Sequence, residues 1–194
     1  MNYLAHFLLS FDDPEVLTGN FLGDFVTKRE YELLPSRIQK GVDLHREIDF
    51  LMDNHEISRK SKDRFLNHRH YASVIIDVVY DHFLAKNWKN YSNVELNVDA
   101  KKYYEMINSN QKWLNEKSAQ YFFYMKKRNW IASYSTIEGI DQILQSMAKR
   151  TPYDTTMNLA VVELQSNYKE LESEFLDFFP VIYSFSKAFL KTSL

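Results

Sequence analysis

The clearest pattern along the chain is a seam of apolar residues near its end. Met157, Val161, Leu164, Tyr168, Leu171, Phe175 and Phe178 recur at spacings of 4, 3, 4, 3, 4 and 3. Residues three and four apart share one side of a helix, so this spacing predicts one long helix. Thr151-Pro152 opens it, with Thr as the cap, Pro in the first turn and Asp154 where an acid suits the helix dipole. Pro180 stops or kinks it. A seam this short packs on the chain's own core rather than forming a free coiled coil. A second helix starts at Ser135-Thr136-Ile137-Glu138. It gathers Ile140, Ile143, Leu144 and Met147 on one face and ends on Lys149 and Arg150, cations that suit its C-terminus. Residues 100–108 and 111–125 also follow a helical pattern, and the polar stretch 90–99 reads as a long loop. In the first half, helices start at Asp13-Pro14-Glu15, at Leu34-Pro35-Ser36 and at Ser73. The last of these runs through an apolar, β-branched stretch whose length and lack of Gly or Pro favour helix over strand.

Composition supports an all-α reading. Four Gly and four Pro in 194 residues are too few turn-makers for a β sandwich or barrel. The length fits a single helical domain over residues 1–194. With no Cys, disulfides, zinc fingers, iron–sulfur clusters and cysteine nucleophiles are excluded. Any metal must be held by nitrogen and oxygen. A net charge of −2 provides no basic field for nucleic acid. No apolar run approaches the ~18 residues of a membrane span. The first residues lack the basic region and cleavage site of a signal peptide. The expectation is a cytoplasmic protein with no membrane span and no nucleic-acid partner.

The chemistry lies at one end. All six His, and nine of the 13 Asp, lie within the first 82 residues. Asn20 and Asp24 are four apart; so are His45, Asp49 and Asp53; so are Asp77 and Asp81, with His82 adjacent. Two Asp stacked one turn apart repel each other, and an unpartnered carboxylate in an apolar segment is costly. A cation should neutralise them. Arg46, Arg64 and Arg69 could do so, as could a metal. A carboxylate–imidazole set suits Mn²⁺, Fe²⁺, Zn²⁺ or Mg²⁺. His6, on an apolar stretch, reads as a core histidine, and His55, His68 and His70 as structural or surface residues. Three of the four Gly (Gly19, Gly23 and Gly41) lie beside this constellation. There is no P-loop, no G-x-S-x-G and no H-E-x-x-H.

Several strings, in order, resemble one family. They are Met1-Asn2-Tyr3-Leu4-Ala5-His6, Gly19-Asn20-Phe21-Leu22-Gly23-Asp24-Phe25, Gly41 to Asp49 with Asp53, and Asp77 to Ala85 with Trp88. Trp130-Ile131-Ala132-Ser133-Tyr134 and Phe178-Phe179-Pro180 extend the set. This sequence is similar to the acyl carrier protein phosphodiesterases. The resemblance implies a helical fold distantly related to the HD-domain metal phosphohydrolases. It implies hydrolysis of the phosphodiester that joins 4′-phosphopantetheine to a serine of acyl carrier protein, with a divalent metal, Mn²⁺ foremost. On that basis Asp24, His45, Asp81 and His82 are expected to hold the metal. Asp24, His45, Asp49 and Asp77 are expected to serve the chemistry, and Asn20, Arg46 and His6 to contact substrate. The order Asp81-His82 departs from the usual His-Asp doublet. The basic runs Arg59–Arg64 and Lys126–Arg128 are docking candidates for the acidic carrier. A phosphohydrolase acting on a nucleotide or another small diester is the second reading, and a non-catalytic helical module that binds a metal or a protein is the third.

Overall fold

The computed structural model describes residues 1–151 and 155–191, and among them there are helices and no strands. The first four are α1 (Tyr3–Leu8), α2 (Pro14–Leu22), α3 (Lys28–Glu32) and α4 (Ser36–Asn54). Next come α5 (Glu56–Lys62), α6 (Ala72–Lys86), α7 (Leu96–Ser109) and α8 (Glu116–Arg128). Then follow α9 (Trp130–Ser133), α10 (Ile137–Arg150), α11 (Val161–Ser166) and α12 (Tyr168–Lys191). No helix among the described residues is long and apolar enough to cross a membrane.

The starts expected near Asp13, Pro35, Ser73 and Thr136 are present, whereas Thr151, expected to open a helix, closes α10 instead. Asp13 caps α2 by accepting from the amides of Glu15 and Val16, and Pro14 takes the first helical position, where no amide hydrogen is needed. Pro35 precedes α4. Thr136 caps α10 by accepting from the Gly139 amide.

The C-terminal part differs from the one long helix expected. Pro152 and Asp154 lie outside the described residues. The seam itself points inward, with Leu164, Leu171, Phe175 and Phe178 fully buried. It is divided, however, among a short 3₁₀ turn at Met157–Leu159, α11 and α12, and the backbone leaves the helical region at Asn167 (φ −114°, ψ 23°). Pro180 does not stop α12, which continues to Lys191. Pro180 and Leu176, one turn before it, both face outward, so the carbonyl that loses its amide partner lies on the water side.

The loop expected over 90–99 is shorter, because α7 begins at Leu96. Its polar residues do structural work within the fold. Asp99, in the first turn, is buried and accepts from Trp88 Nε1 at 3.2 Å and from Ser92 Oγ. The helix expected over 111–125 breaks at Leu114 (ψ 132°). Asn115 then caps α8 by accepting from the Ser118 amide at 2.9 Å.

Two close approaches fix the frame of the molecule. Helices α2 and α4 cross at Gly19 and Gly41. A Cβ on Gly19 would meet the Ile38 carbonyl, and a Cβ on Gly41 would meet the Val16 carbonyl. Backbone lies on both sides of the crossing, so no side chain can move aside. On the far side of the core, Glu174 of α12 is 5% exposed and bonded to Arg64 Nη2 at 2.6 Å, Ser61 Oγ at 2.6 Å and Lys60 Nζ at 3.2 Å. This pair ties α12 to α5. Arg64→Ala leaves a buried carboxylate short of its main partner. It should cost about 3 kcal/mol, the low end for such a loss because Lys60 remains in place. Urea unfolding would show this as a lower midpoint with an unchanged slope.

Candidate active site

Two imidazoles lie at the crossing of α2 and α4. His6 of α1 and His45 of α4 stack with ring centres 4.2 Å apart and planes inclined by 18°. Asn20 of α2 orients both. Its side-chain oxygen accepts from His6 Nδ1 at 2.7 Å, while its amide nitrogen donates to the His6 carbonyl at 2.8 Å and to Ser10 Oγ at 3.1 Å. Its backbone carbonyl accepts from His45 Nδ1 at 2.8 Å. Each ring therefore carries a hydrogen on Nδ1, and each presents Nε2 to the same place. Gly23 makes room for this arrangement, since a Cβ there would run into the His45 ring.

Carboxylates face the two Nε2 atoms. Asp49 Oδ2 is 3.1 Å from His45 Nε2, and Asp49 Oδ1 is 3.4 Å from His6 Nε2. Asp24 Oδ1 is 3.4 Å from His45 Nε2, and its other oxygen accepts from the Tyr3 hydroxyl at 3.2 Å. Asp24 is exposed and the two imidazoles are buried, so Asp24 forms the solvent-facing rim. The Met1 carbonyl lies 3.0 Å from His6 Nε2, so in the neutral ring that nitrogen, its hydrogen being on Nδ1, faces only acceptors, an arrangement that suits a shared cation.

The remaining candidates are placed around this core. Asp77 accepts from the Met1 amino group at 2.9 Å, and that group also lies 3.7 Å from Asp49. Asp81 is fully buried and accepts from the amides of Leu4 (2.7 Å) and Ala5 (3.3 Å), so it holds the N-terminus of α1. His82 is not brought to the cluster. Its two ring nitrogens bond the Tyr134 carbonyl and the Tyr168 hydroxyl, each at 2.8 Å. Asp81 and His82, adjacent in sequence, thus serve different neighbours. Arg46 turns to Asp43 at 3.3 Å and lies over the Tyr31 ring. Asn20 is fully buried and positions the two imidazoles. Asp53 pairs with Lys62 at 2.8 Å, and Arg64 with Glu174. Two participants carry no signal in the sequence. One is the Tyr3 hydroxyl, which the spacing of carboxylates and imidazoles does not single out; the other is the Met1 carbonyl, which no side-chain pattern reports.

Electrostatics follow from this geometry. Burial lowers the pKa of His6, and the neighbouring His45 lowers it further, so His6 favours the neutral form. Burial would lower His45 too. The hydrogen bonds to Asp24 and Asp49 outweigh that effect and raise it to about 9. Burial tends to raise Asp49, yet its bonds to His45 and His6 hold it well below the usual carboxylate range. Burial raises Asp77, with the amino group opposing, and pushes Asp81 up to about 7 despite its two amide donors. A histidine raised from 6.5 to about 9 adds stability that is fully present below pH 6.5 and is lost as pH climbs through 9. In metal-free protein, the gap in thermal midpoint between the native chain and His45→Gln should therefore shrink between pH 6.5 and 9.5 (about half a unit past that value).

His6, His45 and Asp49 each offer a ligand atom, and these atoms lie within 4.8 Å of one another. This group can hold a metal ion. The donor set fits one, because each Nδ1–H is committed to Asn20 and each Nε2 faces a carboxylate. Oriented imidazoles of this kind are what a metal centre requires. The sequence pattern of one family, acyl carrier protein phosphodiesterase, matches residues 1–182. The chain belongs to that family. Relatives described as acyl carrier protein phosphodiesterase include one from Escherichia coli O6:H1 (strain CFT073), 31% identical, covering 93% of this chain and 94% of the relative. Others come from Escherichia coli O45:K1 (strain S88) and Shigella boydii serotype 18, each 30% identical with the same coverage. No solved structure matches the chain. Within the family's matched span lie all of the cluster residues and the α2–α4 crossing that presents them.

Proposed function

We propose that the protein is a metal-dependent phosphodiesterase that releases 4′-phosphopantetheine from the serine of holo-acyl carrier protein. Family membership supports the reaction, and the convergence of His6 Nε2, His45 Nε2 and Asp49 on one point supports the metal. His6, His45 and Asp49 would hold the ion, and Asp24 stands at the rim beside it. A nitrogen–oxygen set without sulfur suits Mn²⁺ first, with Mg²⁺, Fe²⁺ and Zn²⁺ as alternatives. When bound, such a cation polarises a phosphoryl oxygen and lowers the pKa of a bound water.

The chain's own residues have distinct roles. Asn20 fixes both ring orientations and both Nδ1 hydrogens. Asp24, exposed and 3.4 Å from His45, is placed to accept a proton from the attacking water. The Tyr3 hydroxyl steadies the second oxygen of Asp24. Asp77 and Asp81 act at one remove. Asp77 holds the Met1 amino group, and Asp81 holds the first turn of α1, which carries Tyr3 and His6. Of the two basic runs, Arg59–Arg64 is largely neutralised, because Lys60 and Arg64 meet Glu174 and Lys62 meets Asp53. In the second run Lys126 meets Glu105 at 2.9 Å, which leaves Lys127 and Arg128 as basic surface for an acidic carrier.

Incubation of holo-carrier with protein and Mn²⁺ tests the reaction, with apo and holo forms separated by gel mobility. Conversion to the apo form is expected. Turnover of a nucleotide diester with no change in holo-carrier would select the phosphohydrolase reading instead.

A further inference from the structure

Tyr3 borders an open cavity of about 160 Å³. Tyr3 lines it and also donates its hydroxyl hydrogen to Asp24 at 3.2 Å, so one side chain separates the cavity from the cluster. Its walls are mixed. Tyr121 and Trp130 meet edge-to-face at 5.0 Å, and Ile143 adds an apolar surface. Gln142, Arg128 and Arg150 supply polar groups, and no Asp or Glu contributes among the described residues. The Arg150 guanidinium lies 5.8 Å from both the Tyr121 and the Trp130 ring centres, and its Nε donates to the Ser146 carbonyl at 3.2 Å. Held over the rings in this way, its fork keeps further N–H groups for a ligand.

We infer that this cavity binds the pantetheine arm of the substrate, an inference that rests on the phosphodiesterase reading above. The chemistry of the arm matches the lining. Its geminal dimethyl group is apolar and suits the Trp130–Tyr121–Ile143 surface. Its two amides carry oxygens that accept from guanidinium and carboxamide N–H groups, which Arg150, Arg128 and Gln142 supply. The arm carries no charge beyond its phosphate, so a partner carboxylate is not called for, and the described walls hold none. A concave site of aromatic and aliphatic walls with a few convergent polar groups is the usual form of a small-molecule subsite. An acidic protein face would need a broader and flatter surface. The position follows from connectivity: a phosphodiester seated at Asp24 places the next atoms of the arm at Tyr3, and Tyr3 opens on the cavity.

The test uses D-pantetheine, which lacks the phosphate, and two variants at exposed positions. Gln142→Trp fills the cavity, and Arg150→Ala removes its main donor. Ligand-observed NMR should show D-pantetheine binding to the native protein and loss of binding in both variants. With holo-carrier, both variants should raise KM about tenfold while kcat stays within about twofold, the mark of lost ground-state binding. Thermal midpoints should stay at the native value. Equal KM and equal D-pantetheine binding in the native protein and both variants would overturn the inference. If the native protein fails to release phosphopantetheine from holo-carrier, the phosphodiesterase reading fails. The D-pantetheine result then decides the cavity by itself: loss of binding in the variants upholds the subsite, and no binding to the native protein overturns it.

Discussion

Asp49→Ala should abolish Mn²⁺ binding measured by calorimetry and reduce release of phosphopantetheine by about a thousandfold or more. The size follows from what Asp49 touches. Among the described residues it is the one carboxylate within reach of both His45 Nε2 (3.1 Å) and His6 Nε2 (3.4 Å). Without it, the two stacked imidazoles lose the carboxylate they share, and Asp24 remains beside His45 alone. Lewis-acid stabilisation is worth several kcal/mol, and about 4 kcal/mol is a thousandfold in rate. Asp24→Asn separates the roles. Asp24 is exposed and touches one imidazole alone, so calorimetry should still register the ion while kcat falls. Asn20→Ala acts through orientation, freeing both rings at once, and should weaken metal binding by about 10–100-fold. Measurable Mn²⁺ binding by Asp49→Ala at native affinity would remove Asp49 from the site.

Gly41→Val should prevent stable folding. A Cβ at Gly41 already meets the Val16 carbonyl, and it lies 2.9 Å from both the Gly19 Cα and the Asn20 amide nitrogen. Overpacking a core where side chains can adjust costs about 1–3 kcal/mol. Here the neighbours are backbone of α2, so relief requires the helices to separate. Separation also carries Asn20 away from His45, and the 2.8 Å bond that orients the ring is lost. The milder Gly41→Ala should fold with a lower thermal midpoint and a larger fractional loss of activity than of stability. Circular dichroism melting with a parallel assay distinguishes the two effects. A fully folded and active Gly41→Val would show that the crossing is looser than described.

The sequence was informative where one residue type has one physical use. Asp13-Pro14 and Thr136 marked helix starts because capping is local. The apolar seam of residues 157–178 found the inward face, since burial follows the helical period. It did not find the break at Asn167, where the face continues across two helices and the period hardly changes. The i, i+4 spacing placed His45 above Asp49 correctly, because both stand on α4. The same rule drew Asp77, Asp81 and His82 together. Adjacent residues on one helix point about 100° apart, and Asp81 and His82 accordingly look toward α1 and toward Tyr134. His6 is the instructive case. Alone on an apolar stretch it reads as a core histidine, and it is buried as such. Its functional side is set by Asn20 and His45, 14 and 39 residues away in sequence, and only the three-dimensional crossing joins them. The three Gly beside the constellation carried that information in outline, because two of them permit the crossing and the third admits the His45 ring.

Hydrolysis of holo-acyl carrier protein in water enriched in oxygen-18, read by mass spectrometry of both products, puts the reaction itself to the test. The expected products are a carrier with an intact serine and released phosphopantetheine whose phosphate has gained one heavy oxygen, formed with Mn²⁺ present and abolished by excess chelator. A carrier of unchanged mass, a released fragment without heavy oxygen, or release that persists in chelator would contradict it.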